Sequence, residues 1–319
     1  MVKKYAYICL LLSVVFVQIN SKPDNVSQEE YSKTAPLTQL DTDFIEAVKE
    51  NRLEDVQRLL QEGANVETPI PYVWTEADCD WFIESTALLY AIRYNRPKLV
   101  KVLLKAKGLD KALNVNDTNI ERSLNKNEGL LVAIEEGRLA VVEEFIKGGA
   151  NINYVDNDGN SPLMKAIRNI NSFFEVFKNG QISYDSELII EALLKAGASV
   201  THVNKFGRTA LMQAVTLTDL HTVKALLKIP EMTTGKFFGL GTKPINYADE
   251  DGNTALILAV KGIKYEYINS EGYNICVNSQ EIVKELLNTP GINLYHVNKK
   301  GDTAITLLEK VQKKSRILA

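Results

Sequence analysis

The stretch from Ile245 to Val260, INYADEDGNTALILAV, decides the fold, because its pattern returns elsewhere in the chain. Around Gly159 the sequence reads INYVDNDGNSPLMKAI, around Gly207 VTHVNKFGRTALMQAV and around Gly301 LYHVNKKGDTAITLLE. A hydrophobic residue (Ile152, Val200, Ile245, Leu294) stands seven positions before each glycine, and an Asx residue (Asp156, Asn204, Asp249, Asn298) three before it. Asx side chains bond to nearby backbone and tolerate tight turns, while glycine supplies a backbone conformation other residues resist. Each copy therefore predicts a hairpin-like turn. Two residues after the glycine comes Ser161, Thr209, Thr254 or Thr303, whose hydroxyl can cap a helix, followed by Pro162 or an alanine in the first turn.

Inside that first helix an alanine recurs at Ala47, Ala91, Ala133, Ala166, Ala214 and Ala259, small enough for neighbouring helices to approach closely. The last unit breaks the column with Leu308. A second helix follows, with apolar residues at helical spacing in LEDVQRLLQEGAN (53–65), LAVVEEFIKGGAN (139–151) and LIIEALLKAGAS (188–199). The glycine near its end (Gly63, Gly149, Gly197) is a stop signal.

Turn, helix, helix, glycine and turn again resembles the ankyrin repeat, whose pattern includes D-x-x-G-x-T-P-L and L-x-x-V-x-x-L-L-x-x-G-A. The resemblance covers about residues 43–319. It implies an all-α repeat solenoid of ankyrin-type helix-turn-helix units joined by hairpin-like turns, with lengthened loops. Units begin near Asp43, Thr86, Glu128, Ser161, Thr209 and Thr254, with a closing helix at Thr303. The family's histidine after T-P-L is replaced by Leu89, Met164, Met212, Ile257 and Thr306, so apolar packing is expected to substitute for its hydrogen bond between units. The alanine column steps by 44, 42, 33, 48 and 45 residues, so most units exceed the family's 33 and carry insertions. Residues 171–186 and 263–279 separate the two helices of a unit, whereas 66–85, 105–127 and 230–244 lie between units, where they lengthen the turns.

Length and composition suit an elongated stack. Of 319 residues, 45% are hydrophobic and 24% charged, enough for a continuous core in which each unit buries its apolar face on its neighbours. Lys3 and Lys4 precede the apolar run Tyr5–Ile19, the layout of an export signal, with a small residue, Ser21, near a cleavage point. At 15 residues the run is short of the roughly 20 of a comfortable membrane span. Residues 1–21 are read as a signal peptide, with an uncleaved membrane anchor or a buried N-terminal helix as alternatives. Residues 22–40, polar and containing Pro23 and Pro36, are read as a flexible linker, and 41–319 as the repeat domain. Removing Lys3 and Lys4 takes the formal net charge from −3 to −5, which does not suggest nucleic acid. Cys79 and Cys276 would remain, in the first and sixth units, too far apart in a stack to bridge.

Several stretches imitate chemistry. DNDG (156–159) and DEDG (249–252) look like calcium-loop starts, but position one would be Tyr154 or Tyr247 and position twelve Lys165 or Leu258. GKFFGLGTKP around Gly239 lacks the ending of a phosphate loop. His202 and His296 share a column with Tyr154 and Tyr247, which reads as a ladder of stacked rings, and His221 has no visible partner. No catalytic residue, metal site or cofactor is nominated.

What remains is surface. The turn tips carry Asp156, Asn157 and Asp158, then Lys205, Phe206 and Arg208, then Asp249, Glu250 and Asp251, then Lys299 and Lys300. The first helices add a mostly basic column of Lys49, Arg93, Glu135, Arg168, Thr216 and Lys261, of which Arg93, Arg168 and Lys261 are nominated. Aromatic residues are concentrated in the insertions: Trp74, Trp81, Phe237, Phe238, Tyr265, Tyr267 and Tyr273. They either cover their own loops or form anchors for a partner. The resemblance implies a concave side, lined by tips and first helices, that binds a protein. A solvated charged face is the plain account of these columns, and a groove patterned for one acidic protein partner is the sharper one. The expectation is an exported, periplasmic or secreted, non-enzymatic and monomeric adaptor, in a bacterial periplasm. Alternatives are an inhibitor or immunity-type protein that blocks a toxin or enzyme, and an enzyme with its site in the inserted loops.

Overall fold

The computed structural model describes residues 37–76, 79–106, 125–169, 185–234, 243–263 and 277–310, with side chains excepted at 71–84 and 277–278. In chain order, α1 (Gln39–Lys49) and α2 (Leu53–Glu62) lead into strands β1 (Ile70–Glu76) and β2 (Cys79–Ser85). Four helices follow, α3 (Ala87–Arg93), α4 (Pro97–Leu103), α5 (Lys126–Glu135) and α6 (Leu139–Lys147), and then α7 (Pro162–Asn169) and α8 (Asp185–Lys195). The chain continues through α9 (Ala210–Thr216), α10 (Leu220–Leu227), the short α11 (Pro230–Thr234), a 3-10 turn (Pro244–Asn246), α12 (Ala255–Gly262), α13 (Val277–Leu287) and the helical residues 304–310.

The starts of the first helices follow from the hydroxyl column. Thr86, Thr209 and Thr254 accept the backbone N–H of Leu89, Met212 and Ile257 at 3.4, 3.2 and 3.3 Å. Each satisfies a donor the helix cannot. Two starts lie earlier than Asp43 and Glu128. Thr38 with Asp41, and Asn125 with Glu128, form reciprocal capping boxes, so α1 begins at Gln39 and α5 at Lys126. The first of these places Gln39 and Leu40 in a helix, inside the stretch read as linker.

The helices form two layers. First helices pack on one another in the order α1, α3, α5, α7, α9, α12. Second helices run alongside, with α2 on α4, α4 on α6, α6 on α8 and α10 on α13, and each first helix packs on its own second. Ala47, Ala91, Ala133, Ala166, Ala214 and Ala259 are all buried, which is what the close spacing of the inner layer requires. The core runs unbroken from Phe44 to Leu307. Gly129 belongs to this packing. A Cβ there would stand 2.6 Å from the Phe145 ring, so only glycine lets α5 sit against α6.

The long turn between the first two units is a two-stranded antiparallel hairpin in which Ile70 pairs with Ser85, Trp74 with Trp81 and Glu76 with Cys79. It is the one named sheet among the described residues and adds a β finger to an otherwise helical stack. The other between-unit insertions are less uniform: 230–244 contains the short helix α11, and most of 105–127 lies outside the described residues.

Where the family's histidine is missing, Leu89, Met164, Met212 and Ile257 are buried, as the expected apolar substitution requires. A polar link also joins the early units. Arg96 Nη1 donates to the carbonyls of Val48 (2.8 Å) and Lys49 (3.1 Å), at the end of α1. Arg138 Nη2 donates to Arg93 (3.1 Å), and Asn169 Nδ2 to Ile134 (3.0 Å) and Glu135 (3.2 Å). Each donor answers the bare carbonyls that end a helix in the preceding unit.

Candidate functional site

The tips are built by the Asx column. Asp156 Oδ1 accepts the N–H groups of Asp158 (2.9 Å) and Asn160 (2.7 Å), and Asn204 Oδ1 those of Phe206 and Arg208 (both 3.0 Å). Asp249 Oδ1 accepts from Asp251 (3.1 Å) and Asn253 (2.7 Å), and Asn298 Oδ1 from Lys300 (3.0 Å) and Asp302 (2.9 Å). Asp156 and Asp249 therefore hold their turns, and the outward chemistry falls to the residues between Asx and helix. Asp156 also binds Lys165 Nζ at 3.2 Å, and Lys165 reaches Glu135 of the preceding unit. Burial works against the Lys165 charge, yet Glu135 and Asp156 outweigh it and raise its pKa above the ordinary lysine value.

Neighbouring tips are tied together, but not everywhere. From the Gly207 tip to the Gly159 tip, Asn204 Nδ2 donates to Asn160 Oδ1 (2.8 Å), Lys205 N–H to Asp158 O (3.0 Å) and Ser199 N–H to Asn153 Oδ1 (2.8 Å). From the Gly301 tip to the Gly252 tip the set repeats: Asn298 to Asn253 Oδ1 (2.9 Å), Lys299 N–H to Asp251 O (3.0 Å) and Asn293 N–H to Asn246 Oδ1 (2.7 Å). His202 and His296 complete each set with Nε2 at 2.7 and 3.1 Å from the carbonyls of Gly159 and Gly252. These two imidazoles thus act as hydrogen-bond partners of the neighbouring tip's backbone, where the sequence had suggested stacked rings. His221 faces Glu191 at 3.9 Å.

Between the Gly207 and Gly252 tips the residue types forbid two of these links. Asp249 has no amide to donate and Arg208 stands where an asparagine would accept. Pro244, at the position of Ser199 and Asn293, has no N–H at all. Among the described residues Glu250 N–H also lacks the tip-to-tip bond that Lys205 and Lys299 make. The stack therefore has a seam, bounded by the Gly207 tip on one side and the Gly252 tip on the other.

A groove of ≈ 490 Å³ opens along this seam. Its lining brings together Arg168 from the end of α7, Phe206 and Arg208 from one tip, Gln213 from α9, and Asp249, Glu250 and Asp251 from the next tip. Phe206 is 56% exposed. Among the described residues the Arg168 and Arg208 guanidinium groups, and the Glu250 and Asp251 carboxylates, form no ion pair. Gln213 is buried, and its Oε1 has no hydrogen-bond partner. Six residues nominated from the sequence (Arg168, Phe206, Arg208, Asp249, Glu250, Asp251) thus meet in one place. Gln213 was missed, although it is the one amide in the apolar run ALMQAV.

The other nominated residues lie apart from the groove. Asn157, Asp158, Lys205, Lys299 and Lys300 are exposed on tips. Lys261 Nζ donates to Asn253 Oδ1 at 2.5 Å, and the carbonyl of Arg93 serves Arg138. Trp74 and Trp81 face each other in the hairpin register, and the side chains there, with Phe237, Phe238, Tyr265, Tyr267 and Tyr273, lie outside the described residues. So does Cys276. Among the described residues no group of three or more His, Cys, Asp and Glu side chains is placed to hold a metal ion.

The model of three-copy ankyrin repeats matches residues 88–179 and 179–270, more than half of the 319-residue chain. The chain belongs to the ankyrin repeat family. Repeats of this family serve generally as protein–protein interaction modules, typically without enzymatic activity. No curated protein matches the chain.

Proposed function

We propose that this protein is an exported, non-catalytic adaptor that acts as a monomer and grips one protein partner with its tips and first helices, centred on the seam groove. The observation that carries the reading is charge without internal partners. Arg168, Arg208, Glu250 and Asp251 come from three successive units, line one groove and form no ion pair among the described residues. Lys165, Lys261 and Lys310 elsewhere on the stack are held by neighbours, whereas Lys205, Lys299 and Lys300 on the other tips are exposed singly; the groove is where such charges of both signs converge. Unspent charges of both signs on one concave site favour recognition, because they steer encounter and set register with a complementary surface. The exported location rests on Lys3, Lys4 and the apolar run to Ile19.

The test is cross-linked capture from the native envelope, comparing the full chain with a variant reversed at Arg168, Arg208, Glu250 and Asp251. A protein recovered by the first and lost by the second, with both equally folded by circular dichroism, supports the reading. Equal recovery by both baits refutes the groove as the binding surface.

A further inference from the structure

We propose that the seam groove takes an extended peptide segment carrying an acidic and a basic side chain on the same face, the carboxylate bound by Arg168 and Arg208 and the cation by Glu250 and Asp251. This deepens the adaptor reading and rests on it.

Three observations narrow the ligand. The first is sign. A wholly acidic segment would meet the Glu250 and Asp251 carboxylates, and a wholly basic one the two guanidinium groups, so each pays like-charge repulsion at one lip. Only a segment with both signs matches both. Arginine is suited to the acidic half, because its planar fork holds a carboxylate by two parallel hydrogen bonds.

The second is the floor. Gln213 lines the groove, is 7% exposed, and leaves Oε1 without a partner. A carboxamide both accepts and donates, so by turning its buried Oε1 toward the groove it can pair with the N–H and C=O of one extended residue, which a simple ion does not offer in that arrangement. At the equivalent helix position Lys165 is tied to Glu135 and Asp156, and Leu258 is apolar. The free amide belongs to this junction.

The third is position. At the two flanking junctions the tip amides saturate each other, Asn204 with Asn160 and Asn298 with Asn253. The seam replaces that pair by Arg208 and Asp249, which cannot make the amide-to-amide bond and leave the Arg208 guanidinium and the neighbouring carboxylates lining the groove. Phe206, largely exposed at the rim, supplies an apolar edge against which the aliphatic stem of the bound basic side chain can lie.

The experiment is a titration of the isotopically labelled full chain with end-blocked glycine peptides containing one aspartate and one lysine, separated by one, two or three glycines. At least one peptide is expected to shift the backbone amides of Glu250 and Asp251 and the guanidinium signal of Arg208. Changing its aspartate to asparagine, or making Arg208→Ala, should weaken binding at least tenfold, and added salt should weaken it too. Gln213→Leu should lower affinity while leaving the salt dependence unchanged, which separates the amide contact from the charges. No shift at millimolar peptide, equal affinity for the neutral analogue, or unchanged binding by Arg208→Ala overturns the proposal. If the peptides fail while the charge-reversed chain still loses its captured protein, the adaptor reading stands and this one falls.

Discussion

Replacing Asn204 tests whether the tip ladder holds the stack. Its side chain makes three hydrogen bonds while 7% exposed: Oδ1 accepts from Phe206 and Arg208 N–H at 3.0 Å, and Nδ2 donates to Asn160 Oδ1 at 2.8 Å. At about 0.5–1.5 kcal/mol net for each, Asn204→Ala should cost about 1.5–4.5 kcal/mol. Asn204→Asp is more discriminating. A carboxylate keeps both turn bonds, as Asp156 and Asp249 do, and loses only the donor to Asn160. It then sets a buried negative oxygen against a carbonyl oxygen, for a cost of about 1–3 kcal/mol at neutral pH. Asn160 cannot escape by flipping its amide without giving up the bond from its Nδ2 to Asp156 Oδ2 at 3.2 Å.

Burial and the facing Asn160 oxygen disfavour the introduced carboxylate, and for its folded pKa to rise above the ordinary value of about 3.9 they must outweigh the Phe206 and Arg208 N–H bonds that favour it, which is what the pH dependence tests. The sign follows: relative to wild type, the variant is restored below that ordinary value and loses stability as pH rises through the raised folded pKa. Hydrogen exchange at Lys205 N–H, bonded to Asp158 O beside the ladder, reports the junction locally. Equal protection of the aspartate variant and wild type at pH 7, or a deficit that does not shrink on acidification, would refute the reasoning.

Two further outcomes follow from the same architecture. Arg138→Ala should destabilise by about 1–2 kcal/mol in denaturant unfolding, because it strips the Arg93 carbonyl of its donor in a half-buried site, whereas Arg52→Ala, whose guanidinium sits in solvent 2.7 Å from Glu50, should leave the midpoint unchanged. Burial raises the Asp156 pKa, but the Asn160 hydrogen bonds and Lys165 outweigh it and hold the carboxyl below the ordinary range. Its contribution is therefore present above about pH 4 and lost as pH falls through the depressed folded value, and Asp156→Asn should flatten that part of an acid-unfolding profile.

Much of the fold could be read from residue types because the repeat reports itself many times. The Thr column fixed the helix starts, and the Asx column proved to be the scaffold of every tip, as its spacing implied. What escaped was chemistry that depends on two units at once. Arg96 and Arg138 look like ordinary surface residues before a second helix, and only the neighbouring helix end shows them to be donors. His202 and His296 share a column with tyrosines, but their role lies in a glycine carbonyl more than forty positions earlier, the 43 of His202 to Gly159 and the 44 of His296 to Gly252. The same holds for the groove. Its charges were nominated one tip at a time, and the structure alone puts Arg168 in one groove with Glu250 and Asp251.

The seam has a further reading in the sequence itself. The four tips alternate: the Gly159 and Gly252 tips carry Asp, then Asn one residue past the glycine, whereas the Gly207 and Gly301 tips carry His and Asn before it. The first kind supplies acceptors on the face that meets the next tip, and the second supplies donors on the face that meets the one before. Acceptor followed by donor closes with an amide-to-amide hydrogen bond, and donor followed by acceptor cannot make that one. A chain with this alternation pairs amides at its first and third tip junctions and not at the second, where the tips still lie in contact. Only tips with asparagine both three before and one after the glycine would pair at all three junctions. The place where the tip pairing lapses therefore follows from the order of residues at four tips, and it is there that the groove lined by Arg168, Arg208, Glu250 and Asp251 lies.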